Sequence, residues 1–271
     1  MDNLETKLMN KMVLGHCITV VLLAIGMGYA LANPTGGSVV GGASVAGITT
    51  GPGLVTINQT SNTAIINWQT FSIGAGETTN FVAQSANSAV LNRVLGGQTS
   101  IINGTLNANE AVYLINGNGI VVGPGGMVNA NSFTASTRDI ANDDFTSGNL
   151  HFSGSSSAGV LNQGTINALG GDVYLIGKTV DNQGTINAPN GTAGLASGDD
   201  VLLNLNGQEH VFVSPSPTAS SAPSQTAVHN SGTIAAASAE LKAANGNLFA
   251  LAINNEGTIR ATSVANVGGR I

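Results

Sequence analysis

Residues 162–168 read NQGTINA, and the same seven residues return at 182–188, a shift of 20 positions. Weaker copies of this repeat occur at residues 103–108, 230–235 and 255–260. A fixed period of about this length is typical of a solenoid, in which each repeat packs only against its neighbours. The repeat therefore predicts that successive copies lie one above another.

Each repeat contains short β-rich runs bounded by Gly or Asn, the residues that reach the positive φ angles of sharp corners. We expect Ile166 and Ile186 to point inward and stack. Asparagines at equivalent positions are expected to form amide ladders along the axis. The expected ladder partners are Asn162 with Asn182 and Asn167 with Asn187. The predicted fold is all-β, a right-handed parallel β-helix of the single-stranded, pectin-lyase-like kind.

A second motif lies between the copies of the first. It reads VYLI at residues 112–115 and again at residues 173–176, and we interpret residues 201–203 and 248–251 as its relatives. The stretch from Phe133 to Ser157 breaks the period, so we expect it to leave the coil as an excursion. The helix is therefore predicted to carry insertions at some of its corners.

The same patterns predict four parts of the chain. Residues 1–32 are expected to be a signal peptide, and residues 33–210 a β-helix whose first segment, to about residue 60, forms the N-terminal cap that solenoids need. Residues 211–227 are rich in Pro and Ser and are expected to form a loop. Residues 228–271 are expected to be further coils that continue beyond the end of this sequence.

The N-terminus has the three regions of a secretory signal. Lys7 and Lys11 precede an apolar stretch, and an A-x-A cleavage pattern ends at Ala32, so the mature chain is expected to begin at Asn33. An uncleaved membrane anchor is the alternative. Cys17 is the single cysteine and lies inside this segment, so the mature chain is expected to form no disulfide.

Composition excludes several classes of protein. Charged residues make up 8% of the chain, against roughly 25% in ordinary globular proteins, and 37 residues are glycine. A hydrophobic content of 42% argues against disorder. The formal net charge is −6, and the few cations are scattered, so we expect no nucleic-acid partner.

A search for chemistry finds two acidic pairs, Asp143-Asp144 and Asp199-Asp200. They are candidates for calcium ligands or paired catalytic carboxylates, but both pairs flank β-runs, where Asp is favoured as a turn residue. Arg138 is the one cation near them in sequence. Three histidines of the mature chain show no metal-ligand spacing: His151, His210 and His229. We predict no catalytic residue, no metal, no cofactor and no small-molecule substrate, and hence no enzyme.

Four ordered motifs then point to a family. Residues 67–74 read NWQTFSIG, residues 89–94 read AVLNRV, residues 100–106 read SIINGTL, and residues 112–120 read VYLINGNGI. This series resembles the filamentous-haemagglutinin-type domain of two-partner secretion exoproteins, also called the haemagglutination activity domain. The resemblance extends to about residue 203.

The resemblance implies a function and partners. Such chains cross the inner membrane by a signal peptide and are recognised by an outer-membrane transporter with periplasmic POTRA domains. They fold as a β-helix at the cell surface, where adhesion to host-cell or other surface receptors is the implied role. The positions that match the family's secretion and turn motif are Asn92, Arg93, Asn116, Gly117, Asn118, Gly119 and Ile120.

This sequence departs from the family pattern at two turns. Gly117 stands where the family has proline, and Ser85 replaces the proline that usually follows Gln84. Proline pre-sets the φ angle of a turn, so we expect the turn at residues 116–119 to persist with less rigidity.

Two other functions remain open from sequence. One is a β-helical polysaccharide lyase or hydrolase, and the other is an autotransporter-like surface β-helix. The effector activity of an exoprotein, which includes adhesion, cytolysis, contact-dependent inhibition and haem uptake, is expected to reside downstream of this sequence.

Overall fold

A computed structural model describes residues 33–41, 45–206, 210–214, 226–244 and 253–261. The predicted signal peptide, the Pro/Ser-rich segment 215–225 and the predicted strand relative at 248–251 lie outside the described residues. Within the described part of the chain, no helix is long and apolar enough to cross a membrane. The described chain is mostly β-structure, with 60% of it in strands and almost no helix.

The described strands are numbered β1 to β25 in chain order, and most of them form three parallel faces of a right-handed β-helix. The first face contains β3 (Leu54–Gln59), β5 (Thr78–Ala83), β8 (Thr105–Ala108), β11 (Met127–Ala130), β16 (Thr165–Ala168), β19 (Thr185–Ser197), β23 (Thr233–Ala243) and β25 (Thr258–Ala261). The second contains β4 (Thr63–Trp68), β6 (Ala89–Val94), β9 (Ala111–Ile115), β12 (Ser132–Ser136), β17 (Val173–Gly177) and the later halves of β19 and β23. The third contains β7 (Ser100–Ile102), β10 (Ile120–Val122), β15 (Val160–Asn162), β18 (Val180–Asn182), β22 (Val228–Asn230) and β24 (Ile253–Asn255).

Each coil passes through the first, second and third face in turn. Coils 1 to 7 begin at β3, β5, β8, β11, β16, β19 and β23. At the N-terminal end, β1 (Ser38–Gly41) pairs antiparallel with β4, and β2 (Val45–Gly51) pairs antiparallel with β3. These two antiparallel strands are the N-terminal β cap that the sequence predicts.

Individual positions of the NQGTINA repeat have identifiable roles in the coil. Ile166 and Ile186 are adjacent in register and fully buried in the interior core, which confirms the inward stacking. Gly164 and Gly184 stand at the corner, where a Cβ on Gly184 would overlap the carbonyl oxygen of Gly164. Only glycine allows the two coils to approach this closely.

Two asparagine ladders run along the axis. In the interior, Asn162 Nδ2 donates to Asn182 Oδ1 (2.7 Å), and Asn182 Nδ2 donates to Asn230 Oδ1 (2.7 Å). These three side chains are fully buried, so the ladder satisfies amides that would otherwise be costly. On the outer surface of the first face, Asn187 Nδ2 donates to Asn167 Oδ1 (2.8 Å). Both predicted ladders are therefore present.

Two excursions leave the coils and meet in a separate antiparallel sheet. The first contains β13 (Asp139–Ile140), the short helix α1 (Asn142–Ser147) and β14 (Leu150–Ser153), and the second contains β20 (Asp200–Leu203) and β21 (Val211–Val213). Their order in the sheet is β13-β14-β20-β21. Phe145, Phe152 and Val201 pack in a second apolar core together with residues of the second face such as Tyr113 and Tyr174. The outer side of the second face is thereby covered.

Three details of the sequence interpretation were wrong. The first excursion does not begin at Phe133, because residues 132–136 form β12 and fill the second face between β9 and β17. Residues 201–203 are not relatives of VYLI, since they pair antiparallel in the excursion sheet. The segment expected to be a loop from residue 211 begins with a strand, β21.

Candidate functional site

The family-like motifs come together on successive coils. β4, β6 and β9 are neighbours in the second face, with Trp68 opposite Val94 and Arg93 opposite Ile115. The turn at residues 116–119 follows β9 directly and leads into β10. The candidate site is therefore one continuous region of coils 1 to 3.

Asn92 is buried inside this region. Its side chain has no exposed area, and its Oδ1 accepts a hydrogen bond from Trp68 Nε1 at 2.9 Å. Its Nδ2 lies 3.4 Å from the carbonyl oxygen of Tyr113, to which it donates. The amide thus links three coils and satisfies the indole N–H, which needs a partner when buried.

Arg93 fastens the first excursion to coil 2. Its Nε donates to Asp139 Oδ1 at 2.8 Å, its Nη1 to Asn142 Oδ1 at 2.8 Å, and its Nη2 to the carbonyl oxygen of Ile140 at 2.6 Å. The planar guanidinium presents several donors in fixed directions, which suits three acceptors on one loop. Only 13% of the Arg93 side chain is exposed.

Residues 116–119 form a tight turn. Gly119 N–H donates to Asn116 O at 3.1 Å, and Asn118 N–H donates to Asn116 Oδ1 at 2.9 Å. Asn116 is fully buried, and its Nδ2 donates to Ser100 Oγ and to the carbonyl oxygen of Gln98, each at 2.9 Å. Gly119 has φ +104°, which L side chains rarely adopt. The turn persists without the family's proline, as expected.

The tip of this turn is the exposed part of the motif. Gly117 and Asn118 are exposed, whereas Gly119 and Ile120 are buried. A Cβ on Gly117 would meet nothing within 4 Å. Asn118 Nδ2 donates to Gly96 O at 2.9 Å, so even the exposed amide is held by the preceding coil.

Sequence reasoning missed the residue that joins the two excursions. Arg138 is fully buried, and its guanidinium donates to Gly198 O (2.6 Å), Ser156 O (2.7 Å) and Asp199 Oδ1 (2.9 Å). Burial lowers the pKa of Arg138, and the neighbouring carboxylate of Asp199 opposes this shift. The sequence suggested this arginine only as a cation near acids, because contacts across 60 positions leave no local pattern.

A glutamate fastens the second excursion in a similar way. Glu240, on coil 7, accepts the backbone N–H of His210 on Oε1 at 2.8 Å and that of Val211 on Oε2 at 3.0 Å. Arg93 and Glu240 thus attach the excursion sheet to the helix at two places, and Arg138 joins the two excursions to each other.

The two acidic pairs have structural partners. Asp143 and Asp144 lie in the first turn of α1, where a carboxylate is favoured by the helix dipole. His151 Nε2 lies 2.9 Å from Asp200 Oδ2, and this hydrogen bond holds the pKa of Asp200 below its usual value. Among the described residues, no three His, Cys, Asp or Glu side chains are grouped to hold a metal ion.

Glu110 is a further residue to which the sequence gave no role. It lies between β8 and β9 with no exposed area, and within the described chain neither carboxyl oxygen has a hydrogen-bond partner. Burial raises its pKa to about 7, because the charged form loses its hydration.

Known proteins are similar to this chain in both sequence and structure. A family model for the TPS secretion domain matches residues 30–271. A heme/hemopexin-binding protein of Haemophilus influenzae is 38% identical over 129 residues, which are 46% of this chain and 14% of that protein. A second heme/hemopexin-binding protein of that species is 38% identical over 86 residues, which are 32% of this chain and 9% of that protein. The match thus spans only a small part of these relatives.

Two crystal structures share the fold. The HMW1 secretion domain from Haemophilus influenzae has a TM-score of 0.61 and 30% identity, over 77% of this chain and 57% of that one. The filamentous hemagglutinin secretion domain has a TM-score of 0.54 and 14% identity, over 84% of this chain and 98% of that one. The chain belongs to the family of TPS secretion domains, the two-partner secretion domains of Gram-negative exoproteins that are exported by a partner transporter.

Proposed function

We propose that the motif region of coils 1 to 3 is what the periplasmic POTRA domains of the outer-membrane transporter recognise. A signal peptide, cleaved between Ala32 and Asn33, brings the chain to the periplasm. The chain then crosses the outer membrane and forms its β-helix at the cell surface.

The burial of the motif residues carries this proposal. Asn92, Asn116 and Ile120 have no exposed area in the folded helix, and Arg93 is occupied by the first excursion. A partner meets these side chains only in the unfolded chain, apart from the tip at Gly117 and Asn118. Recognition before folding therefore suits this region, and the same residues afterwards close the coils.

The coil architecture supports folding outside the cell. Each coil buries its face against the one before it, so stability accumulates as successive coils emerge. Every coil that forms outside opposes backward movement of the chain. Export of this kind needs no catalytic residue in the domain, and we propose a non-enzymatic role.

The effector activity of the whole exoprotein is distinct from the export role of this domain. We propose adhesion at the cell surface, with host-cell or other surface receptors as partners. Haem or hemopexin binding is the second candidate, because the two matched Haemophilus influenzae relatives carry that description.

Two coil deletions test the export role. Deletion of residues 105–126 removes coil 3 with its turn motif and joins Gly104 to Met127, which is opposite Thr105 in register. Deletion of residues 165–184 removes coil 5 and joins Gly164 to Thr185, which is opposite Thr165. Both deletions preserve the repeat, but only the first removes residues of the four family-like motifs.

The full chain and both variants are co-expressed with the cognate transporter, and extracellular and periplasmic chain is measured by immunoblot. We expect the coil 3 deletion to remain in the periplasm and the coil 5 deletion to be exported. A pull-down with the isolated POTRA domains should give the same contrast. Normal export of the coil 3 deletion, or equal loss in both variants, would contradict the proposal.

A further inference from the structure

The outer surface of the first face is a regular array of Thr and Asn side chains. One column of outward positions is mostly Thr, and the next column holds asparagines from five consecutive coils: Asn80, Asn107, Asn129, Asn167 and Asn187. Neighbouring strands in a sheet lie about 4.8 Å apart, so the array repeats at that spacing along the axis.

The asparagine column has hydrogen-bonding capacity to spare. Asn129 Nδ2 donates to Asn107 Oδ1 at 3.0 Å, and Asn167 Nδ2 donates to Asn129 Oδ1 at 2.9 Å. A side-chain amide has two N–H donors and an oxygen with two acceptor positions. Each amide in the middle of the ladder therefore keeps one donor and one acceptor for a ligand, and the ladder fixes their directions.

A groove lies beside this column. Its lining includes Asn109, Asn129, Asn131, Asn167 and Leu169, and its volume is about 250 Å³. Leu169 is 62% exposed and forms an apolar wall. Asn190 Nδ2 donates to the carbonyl oxygen of Leu169 at 2.7 Å and holds this wall in place. Amides on one side and an apolar side chain on the other match the mixed surface of a sugar ring.

The charge of this face selects the class of ligand. In the first-face parts of the described strands, from β3 to residue 236 of β23, no outward position carries an ionisable side chain. Glu240 and Lys242 lie on the second-face half of β23, so Arg260 on β25 is the first ionisable residue of this surface. The whole chain has a net charge of −6, which disfavours an anionic polymer. The excursion sheet packs on the second face and leaves the array uncovered.

We propose that the Thr/Asn array and its groove bind a neutral polysaccharide that runs along the helix axis. The spare donor and acceptor of each amide pair with sugar hydroxyls, which both donate and accept. Leu169 packs against a ring face in the groove. The test is independent of the proposed export role, because the residues it changes in the site, Asn129, Asn167 and Leu169, lie on coils 4 and 5, outside the motif region.

Affinity electrophoresis of the purified chain from Asn33 onward tests this site. Native gels contain dextran, mannan or hydroxyethyl cellulose as neutral polymers, and alginate as the anionic comparison. We expect retardation in at least one neutral gel and none in alginate. In the retarding gel, the double variant Asn129→Ala with Asn167→Ala should weaken binding at least about tenfold.

Two further variants separate binding from folding. Leu169→Ala changes an exposed side chain, so the fold should persist while retardation falls. The control is Gln163→Ala with Gln183→Ala, which removes another solvent-accessible amide pair, 3.0 Å apart, outside the groove. Circular dichroism monitors the fold of each variant. Absence of retardation in all neutral gels, equal retardation in alginate, or no loss in a folded Leu169→Ala variant would overturn the proposal.

Discussion

Replacement of Glu110 by Gln should remove a pH dependence of stability from the helix. Glu110 is fully buried, and both carboxyl oxygens lack a hydrogen-bond partner within the described chain. Its register neighbours on the adjacent coils are Ser88 and Asn131, and neither titrates. Gln has nearly the same shape as protonated Glu and stays neutral at every pH, so it imitates the form that burial favours.

The size of the effect follows from the pKa. Burial raises the pKa of Glu110 from 4.5 to about 7. Below pH 4.5 the Glu110 carboxyl is protonated in both the folded and the unfolded chain, so its burial does not lower the free energy of unfolding through ionisation. Between pH 4.5 and 7 the unfolded chain ionises while the folded chain stays neutral, so stability falls as pH rises. Above pH 7 the loss is complete, at on the order of 3 kcal/mol, because each unit of pKa shift corresponds to about 1.4 kcal/mol.

Urea unfolding at a series of pH values measures this difference. The free energies of unfolding of the native chain and of Glu110→Gln should agree at pH 4 and diverge through pH 7, with the variant more stable by on the order of 3 kcal/mol at pH 8. Glu256→Gln is the matched control, since 66% of that side chain is exposed. Its curve should follow that of the native chain. A difference between Glu110→Gln and the native chain that is constant with pH would show that the ionisation of Glu110 does not control stability.

Three other substitutions test the packing by urea unfolding, and a matched pair of glycine substitutions tests it by circular dichroism. Arg138→Met should cost about 3 kcal/mol, because buried carbonyl oxygens lose their donors; a loss below about 1 kcal/mol would mean that water replaces the guanidinium. Gly117→Pro should add about 0.4–1 kcal/mol at an open turn position, and a loss would show an incompatible backbone. Asn182→Ala should cost about 1–3 kcal/mol through the interrupted interior ladder, and a neutral result would exclude that role. Gly104→Ala should prevent native folding, because a Cβ there would overlap carbonyl oxygens of the preceding coil, whereas Gly97→Ala, with nothing within 4 Å, should be neutral by circular dichroism.

The repeat made the coil predictable from sequence. In the segment NQGTINA, Asn162 joins the interior ladder, Gly164 allows close approach at the corner and Ile166 packs inward. Two copies 20 positions apart were therefore sufficient to predict the coil. The strand at residues 132–136 escaped recognition because SFTAS shares only its pattern of burial with VYLI. A β-helix face requires only small or apolar residues at its inward positions, and many sequences meet this requirement. In sequence, a coil that lacks the motif therefore cannot be distinguished from an insertion.

The candidate site was only partly predictable. The motif series marks the positions of Asn92 and Asn116, but their burial depends on coils that approach from other parts of the chain. Arg138 binds Asp199, which is 61 positions away in the sequence. The pKa of Glu110 is raised only because the folded chain buries this side chain. Such contacts depend on the length and conformation of each excursion. The local periodicity of the sequence does not determine either of them.

The excursion sheet also reinforces the β-helix along one side. A plain solenoid pulled along its axis yields one coil at a time, because each coil holds only its neighbours. Here Arg93 on coil 2 and Glu240 on coil 7 fasten one sheet at two separated points along the helix, and Arg138 joins the two excursions that form the sheet. A force that peels the coils must therefore strip that sheet as well. The segment from coil 2 to coil 7 should therefore resist tension as one unit.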